Sequence, residues 1–470
     1  MTDGLDHSLD SMSLQHVSPL DGRYAHEGAE VARHFSELAL MRYRFVVEVE
    51  WLVMQSELPE LTHVRTLDEG EHRQLREWVD GFSAADAERI KQLESETNHD
   101  VKAVEYFLKE QVDQTSMADI REAVHFSCTS EDINNLAYGL MLKEGVASEW
   151  EPPARALVDA VAALAQETRD LSLLTRTHGQ PATPSTLGKE LAVFVLRWHR
   201  QLRQIAAIEY LGKFNGAVGS YNAHAAAYPD VDWPEISRAF VERLGLIWNP
   251  LTTQIEPHDY MAELFHAIVR FNNVLLDFDL DMWAYIGLGY IKQRVVEHEV
   301  GSSTMPHKVN PIQFENSEAN IGLSNALLTH LASKLAVSRL QRDLSDSSAL
   351  RNVGVALGHS RLAIRSALAG VLTAEADEPA MLADLEDAWE VLGEAIQTLM
   401  RKAGCRNPYE QLKRLTRGAS ITQAELVEVI SQVDITADDR DQLLALTPRD
   451  YTGLANKLLA WMPESPAGDG

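Results

Sequence analysis

Five stretches of this sequence concentrate side chains that bind anions or move protons. They are SPLDGRY (18–24), TNHD (97–100), CTSEDINN (128–135), RTHGQPATP (176–184) and GSSTMPHKVNP (301–311). Arginine and lysine, with hydroxyls and backbone amides, hold carboxylate and phosphate. A histidine of ordinary basicity gives or takes a proton near neutral pH. A serine on a loop opened by Gly301 and punctuated by Pro306 and Pro311 can be carried into a closed site and deprotonated only there. Anion binding and proton transfer together equip a protein for elimination beside a carboxylate. One group removes the proton next to the carboxylate, another protonates the departing atom, and cations and amides hold the charge that builds up.

Each stretch also has a plainer explanation. His178-Gly179 fits a helix C-cap, with Pro181 and Pro184 starting the next helix. Thr129 or Ser130 fits a helix N-cap, with Glu131 and Asp132 favouring the positive end of the helix. His99-Asp100 fits a surface pair, Arg23 a turn, His307-Lys308 a solvated loop and Cys128 a small core filler. HDY (258–260) reads as the start of a helix.

Other chemistries lack their motifs. The sequence has no HExxH and no CxxC, no GxGxxG after a strand, no GxxxxGK[ST] and no GxSxG. The expectation is a site with no metal and no cofactor. A formal net charge of −28, from 42 Lys+Arg against 70 Asp+Glu, argues against nucleic acid or an anionic membrane as partner. In so acidic a chain, a place where cations gather is there to hold an anion. Two cysteines, Cys128 and Cys405, cannot make a disulfide framework and read as free thiols. The N-terminal segment is acidic and polar, unlike a signal peptide, and no apolar run approaches a membrane span. A cytoplasmic location is expected.

The elements that must position these loops are helical. Residues 26–57 read as one amphipathic helix ending before Pro59, and 68–115 as two or three shorter ones with the SETNHD loop (95–100) between them. Asn98 and Asp100 suit the cap of VKAVEYFLKE. Longer helices are expected over 152–173, 184–212, 258–297, 312–341 and 355–373. In the 258–297 stretch Leu264, Ile268, Phe271, Leu275, Phe278, Met282 and Tyr285 recur in steps of four and three, a bundle seam. Phe265, Val269, Leu276 and Trp283 lie off that seam, so this helix must be covered on several sides, by one chain or by several. The expected organisation is all-α: a flexible arm (1–17), an N-terminal helical domain (18–119), a central long-helix bundle carrying the 301–311 loop (120–373) and a C-terminal helical domain (374–470).

GSSTMPHKVNPIQFENSEAN resembles the signature loop of the fumarase/aspartase superfamily, whose members eliminate fumarate from succinyl compounds. SPLDGRY, TNHDVKAVEYFLKE, HFSCTSEDINN, RTHGQPATPSTLGKE, GAVGSYNAH, TTQIEPHDY and QRDLSDSSALRN, in that order, resemble the long bacterial branch of the adenylosuccinate lyase family, from about residue 18 to about residue 460. Gln313 stands where the resemblance implies an acidic residue; its neighbours match. The resemblance implies three helical domains and a homotetramer whose central bundles join in a twenty-helix core, with active sites shared between chains. It implies a carbon–nitrogen lyase that releases fumarate from two succinylated purine nucleotides, a small-molecule substrate class. It implies His178 as the general acid that protonates the departing nitrogen and Ser302 as the base that takes the Cβ proton. Arg23 and Tyr24 would help bind phosphate, and Asn98, His99, Asp100, Thr129 and Ser130 would line the pocket. Gln254 would reach the succinyl or base portion, Lys308 and Asn310 would clamp carboxylate, and Asn316 would sit just behind. Arg342 and the turn Ser347, Ser348, Ala349, Leu350 and Arg351 would bind phosphate. A serine base needs positive charge and a dry site, which Lys308 and His307 would supply.

Two other readings compete. A sister lyase would act on argininosuccinate, aspartate or malate, which carry no nucleotide phosphate, so Arg23, Arg342, Ser347 and Arg351 are the discriminating set. A non-catalytic helical scaffold would not need both His178 and Ser302.

Overall fold

The structure is a computed structural model and describes residues 15–294, 309–416 and 422–463. Helices dominate it. In chain order they are α1 (Ala25–Phe35), α2 (Glu37–Glu57), α3 (Glu69–Asp80), α4 (Ala84–Thr97), α5 (Asp100–Val112), α6 (Ser130–Gly145), α7 (Glu151–Glu167), α8 (Leu187–Ala206), α9 (Asn222–Ala227), α10 (Trp233–Arg243), α11 (Asp259–Gly287), α12 (Ile312–Leu335), α13 (Ser345–Leu350) and α14 (Val353–Leu372), followed by shorter helices to Leu458. The described strands are two or three residues long and pair in four two-stranded sheets. The all-α expectation holds.

Local sequence sets most helix limits. The 26–57 stretch is two helices, because the Ser36 hydroxyl accepts from Ala39 N at 3.1 Å and starts α2 afresh. Asp68 and Glu71 close a capping box at the start of α3. Asn98 ends α4 in the left-handed region, with φ at 51°, and His99 rather than Asn98 or Asp100 caps α5, its Nδ1 accepting from Lys102 N at 3.2 Å. The longer expectations shorten at their C-terminal ends. The helix from 151 stops at Glu167, the one from 187 at Ala206, and α11 at Gly287, beyond which Gly289 takes φ of 77° and leads into a strand, Ile291–Gln293.

The chain divides into two compact units. The first comprises residues up to Pro153, Arg203–Asn272 and Asn320–Leu362. Its N-terminal core packs Phe45, Val49, Leu52, Leu75, Ile90, Val104, Phe107 and Leu108 from α2 to α5. Elsewhere in the unit, a buried polar strut joins long helices. The Trp150 indole donates to Ser360 Oγ, and Ser360 Oγ to Asn272 Oδ1, each at 2.8 Å. Asn272 in turn donates to Ser324 Oγ at 3.2 Å.

The second unit comprises Ala154–Leu202, Asn273–Ala319 and Ala363 onward. Phe278 meets Phe194, Trp198 and Phe314 at ring separations of 5.4, 5.3 and 6.2 Å. A separate core gathers Leu385, Leu392, Ile396, Met400, Leu426, Ile430 and Leu443. Along α11 the seam residues from Leu264 to Met282 are buried and Tyr285 is half-buried, whereas Leu280 and Trp283 are about half exposed at 49% and 52%.

Candidate active site

Within the first unit the polar stretches converge on the N-terminal turn of α6. Thr129 is its N-cap, and Asp132, three residues on, accepts from Thr129 N at 2.8 Å. Asp132 is fully buried and also accepts from Lys213 Nζ at 2.8 Å, Asn215 N at 3.0 Å and Gly216 N at 3.1 Å. Its carboxylate thus ties the GKFNG turn (212–216) to the helix, and the half-buried Thr129 and Ser130 are held at a rigid helix end. A helix end of this kind favours negative charge.

Glu131 faces the other way. It is buried, and its Oε1 accepts from Asn134 Nδ2 at 2.7 Å and pairs with Arg342 Nη2 at 2.8 Å. Burial pushes its carboxyl above the usual carboxylate range, with Arg342 opposing. Arg342 reaches Gln254 Oε1 at 3.4 Å, and Gln254 is itself fixed by donating to Ala217 O at 2.8 Å. Arg351 Nη2 lies 3.0 Å from Asp100 Oδ2, and its Nη1 lies 2.5 Å from Glu37. Asp100 is ionised more readily than an ordinary aspartate. Burial works against that, but Arg44, then the hydrogen bond from Val101 N and then Arg351 outweigh it.

Ser347 N donates to Asp346 Oδ1 at 2.7 Å near the start of α13, the short helix that holds Ser348, Ala349 and the buried Leu350. A cavity of about 300 Å³ is lined by Ser18, Leu20, Asp21, Glu37 and Arg351, which brings the 18–24 turn beside Arg351. In that turn the Arg23 guanidinium stands 5.7 Å from the ring of half-buried Tyr24. The first unit therefore brings together Asp100, Gln254, Arg342 and Arg351. Asn98 and His99 are exposed at the same turn as Asp100.

Two groups here were not singled out from the sequence. Arg44, on α2, is 1% exposed and joins Asn134 to Asp100. Its neighbours in the sequence are apolar core residues, and only its charge inside that run marks it. Glu48, one turn on, is buried and lies 2.5 Å from His125 Nδ1. Burial alone would lower the His125 pKa, but Glu48 raises it above the ordinary histidine value. His125 itself has φ of 63° in the loop that leads to Thr129.

The second unit carries His178. It is exposed at the tip of a hairpin, Arg176–Thr177 paired with Gln180–Pro181, and is not at a helix C-cap. His178 and Gly179 form the two-residue connection, with φ of 54° and 75°, as a tight hairpin of this hand requires. The hairpin is anchored at its base. Arg176 donates to Tyr290 Oη at 2.9 Å and to Asp384 at 2.5 Å, and Tyr290 donates to the same carboxylate at 2.7 Å. Thr183 donates to Glu394 at 2.6 Å. Asn316, on α12, donates to Ser366 Oγ at 2.6 Å, and Asn310 is half-buried ahead of that helix. Ser302, His307 and Lys308 lie outside the described residues.

The Lyase family profile matches residues 22–324, and the adenylosuccinate lyase C-terminal family matches residues 338–452. The adenylosuccinate lyase of Vibrio cholerae is 51% identical over 452 residues, covering 96% of this chain and 99% of that protein. That of Escherichia coli K12 is 51% identical over 448 residues, covering 95% and 98%. Among solved structures, a fumarate lyase from Mesorhizobium sp. BNC1 superposes with a TM-score of 0.73 at 17% identity, covering 92% of this chain and 96% of that one. The 3-carboxy-cis,cis-muconate lactonizing enzyme of Pseudomonas putida gives 0.70 at 20% identity, covering 92% and 95%. These two likenesses speak to the fold.

Proposed function

The chain belongs to the adenylosuccinate lyase family, and from that premise we propose that it eliminates fumarate from succinylated purine nucleotides in purine biosynthesis. Adenylosuccinate would give AMP, and the succinylated aminoimidazole carboxamide ribotide would give AICAR. The observation that carries this reading beyond the family is the gathering of Arg342, Arg351, Gln254 and Asp100 in an acidic chain. A nucleotide phosphate needs such a place, and argininosuccinate, aspartate and malate do not.

In the proposed reaction Ser302 takes the Cβ proton of the succinyl group. The electron pair left behind forms the new double bond of fumarate as the C–N bond breaks. His178 protonates the departing nitrogen. Lys308 and Asn310 hold the carboxylate next to the carbon that loses its proton, with Asn316 behind them. Arg23, Tyr24, Arg342 and the Ser347–Arg351 turn hold the phosphate, while Asn98, His99, Asp100, Thr129, Ser130 and Gln254 line the rest of the pocket. No metal or cofactor enters this scheme.

The proposal extends to assembly. Four chains join their long helices in one core, each site takes residues from different chains, and the enzyme works in the cytoplasm. The exposed Leu280 and Trp283, apolar side chains on a helix whose seam is buried, support such a covering. The division into domains at about residues 119 and 373 belongs to the same proposal. No described helix is long and apolar enough to cross a membrane.

The test is substrate discrimination. Purified protein should release fumarate from adenylosuccinate and none from argininosuccinate. Release from argininosuccinate, with adenylosuccinate inert, would move the chain to the sister activity.

A further inference from the structure

Arg44 sits in the middle of the polar site but faces no opening. Its Nε donates to Asn134 Oδ1 and its Nη2 to Asp100 Oδ2, both at 2.7 Å. It is 1% exposed, and its Nη1 is buried with no partner among the described residues. One line of alternating groups runs through it: Arg342, Glu131, Asn134, Arg44, Asp100, Arg351, Glu37. We propose that Arg44 is a positioning residue, which ties the 97–100 turn to the first turn of α6 and so holds Arg342 and Arg351 ready for an anionic group. This rests on the proposed phosphate site.

Burying a guanidinium is costly, and a buried ion pair is often no more stabilising than apolar residues of the same volume. Stability alone therefore does not account for a cation in the core face of α2. The planar fork, in contrast, fixes separate nitrogens at set angles, Nε toward Asn134 and Nη2 toward Asp100, where a lysine offers one nitrogen on a flexible stem.

The arrival of an anion gives the same residue a second task. Asp100 Oδ2 is shared between Arg44 and Arg351. A phosphate that draws Arg351 away from Asp100 would leave a half-buried carboxylate, and Arg44 stays behind to pair it. On the other side Asn134 keeps Glu131 oriented toward Arg342. The charged and titratable groups around Asp100 are Arg44, Arg351, His99, whose Nδ1 is 3.8 Å from its Oδ1, and, one step further, Glu37, Glu131 and Tyr138. Arg44 contributes most to keeping this carboxyl ionised against burial.

The experiment compares Arg44→Met, Arg44→Lys and Asn134→Ala in the full chain, by steady-state kinetics with adenylosuccinate across pH. Arg44→Met should raise KM about 10- to 100-fold, the scale of a lost charged hydrogen bond, with kcat changed less than about fivefold. Its acid limb in kcat/KM should move to higher pH, because Asp100 loses the guanidinium that keeps it ionised. Arg44→Lys should return the limb toward its original place but recover only part of KM. Asn134→Ala should raise KM without moving the limb. An active wild type whose KM and acid limb are unchanged in Arg44→Met overturns this proposal alone. A wild type without turnover overturns the reading of the site and this proposal with it. Should Arg44→Met fail to fold, an unchanged KM in both other variants overturns the proposal just as well.

Discussion

Arg342 and Arg351 are held by carboxylates, Glu131 on one side and Asp100 and Glu37 on the other, so a phosphate bound as proposed would exchange one set of ion pairs for another. Such an exchange contributes similarly to ground and transition states. Arg342→Ala should accordingly raise KM more than it lowers kcat, as initial-rate kinetics will show. His178→Ala and Ser302→Ala would remove the proposed proton-transfer groups and should each lower kcat by about 10²–10⁴. Near-normal kcat in Ser302→Ala would pass the role of base to His99 or His125. The His125–Glu48 pair makes a separate prediction about stability. The folded-state pKa of His125 is raised, so the pair stabilises the fold fully at pH below the unfolded histidine value, about 6.5, and loses that contribution as pH rises through the folded value. Glu48→Gln should therefore cost about 1–3 kcal/mol at pH 6 and clearly less at pH 9, measured by denaturant unfolding. An equal cost at both pH values would contradict the assignment of an imidazolium there.

Hairpin geometry governs the element that carries His178. Gly179 has φ of 75°, and a Cβ there would meet nothing within 4 Å. Gly179→Ala should cost only the backbone penalty of about 1–2 kcal/mol, yet kcat should fall as the imidazole shifts. Unchanged kcat would mean that the hairpin does not set the position of the proposed acid. This hairpin shows where sequence reading reached its limit. Thr-His-Gly-Gln fits a helix end as well as a two-residue turn, and what decides is the pairing of Arg176 with Pro181, locked by Tyr290 and Asp384 more than a hundred residues away. In the α3–α5 region the short helices were legible and Asp68 and Ser83 mark two starts locally, but the cap expected of Asn98 or Asp100 falls to His99, and residues 95–97 of the expected loop are the end of α4. The break at Ser36 was not, since neither proline nor glycine marks it and apolar periodicity continues on both sides. The polar loops could be picked out by composition, and their partners could not. Arg44, Glu48 and Tyr290 lie in apolar surroundings and acquire their roles only through contacts distant in sequence.

At the scale of the whole molecule the helix α11 poses the main question, because a helix buried from Leu264 to Met282 along its seam still exposes Leu280 and Trp283. If chains share sites, inactive His178→Ala and Ser302→Ala proteins should complement each other. Dissociated and reassociated in equal amounts, they should regain about a quarter of wild-type activity. Mixed tetramers, confirmed by mass spectrometry, that stay at the single-mutant level would place both residues of a site on one chain. Every proposed role serves one reaction. The direct measurement is proton NMR of adenylosuccinate with the purified wild-type protein in buffer containing EDTA. Fumarate and AMP should appear in equal amounts at a rate that EDTA does not change. A folded protein that forms neither product, or that forms them only when a divalent metal is restored, would contradict it.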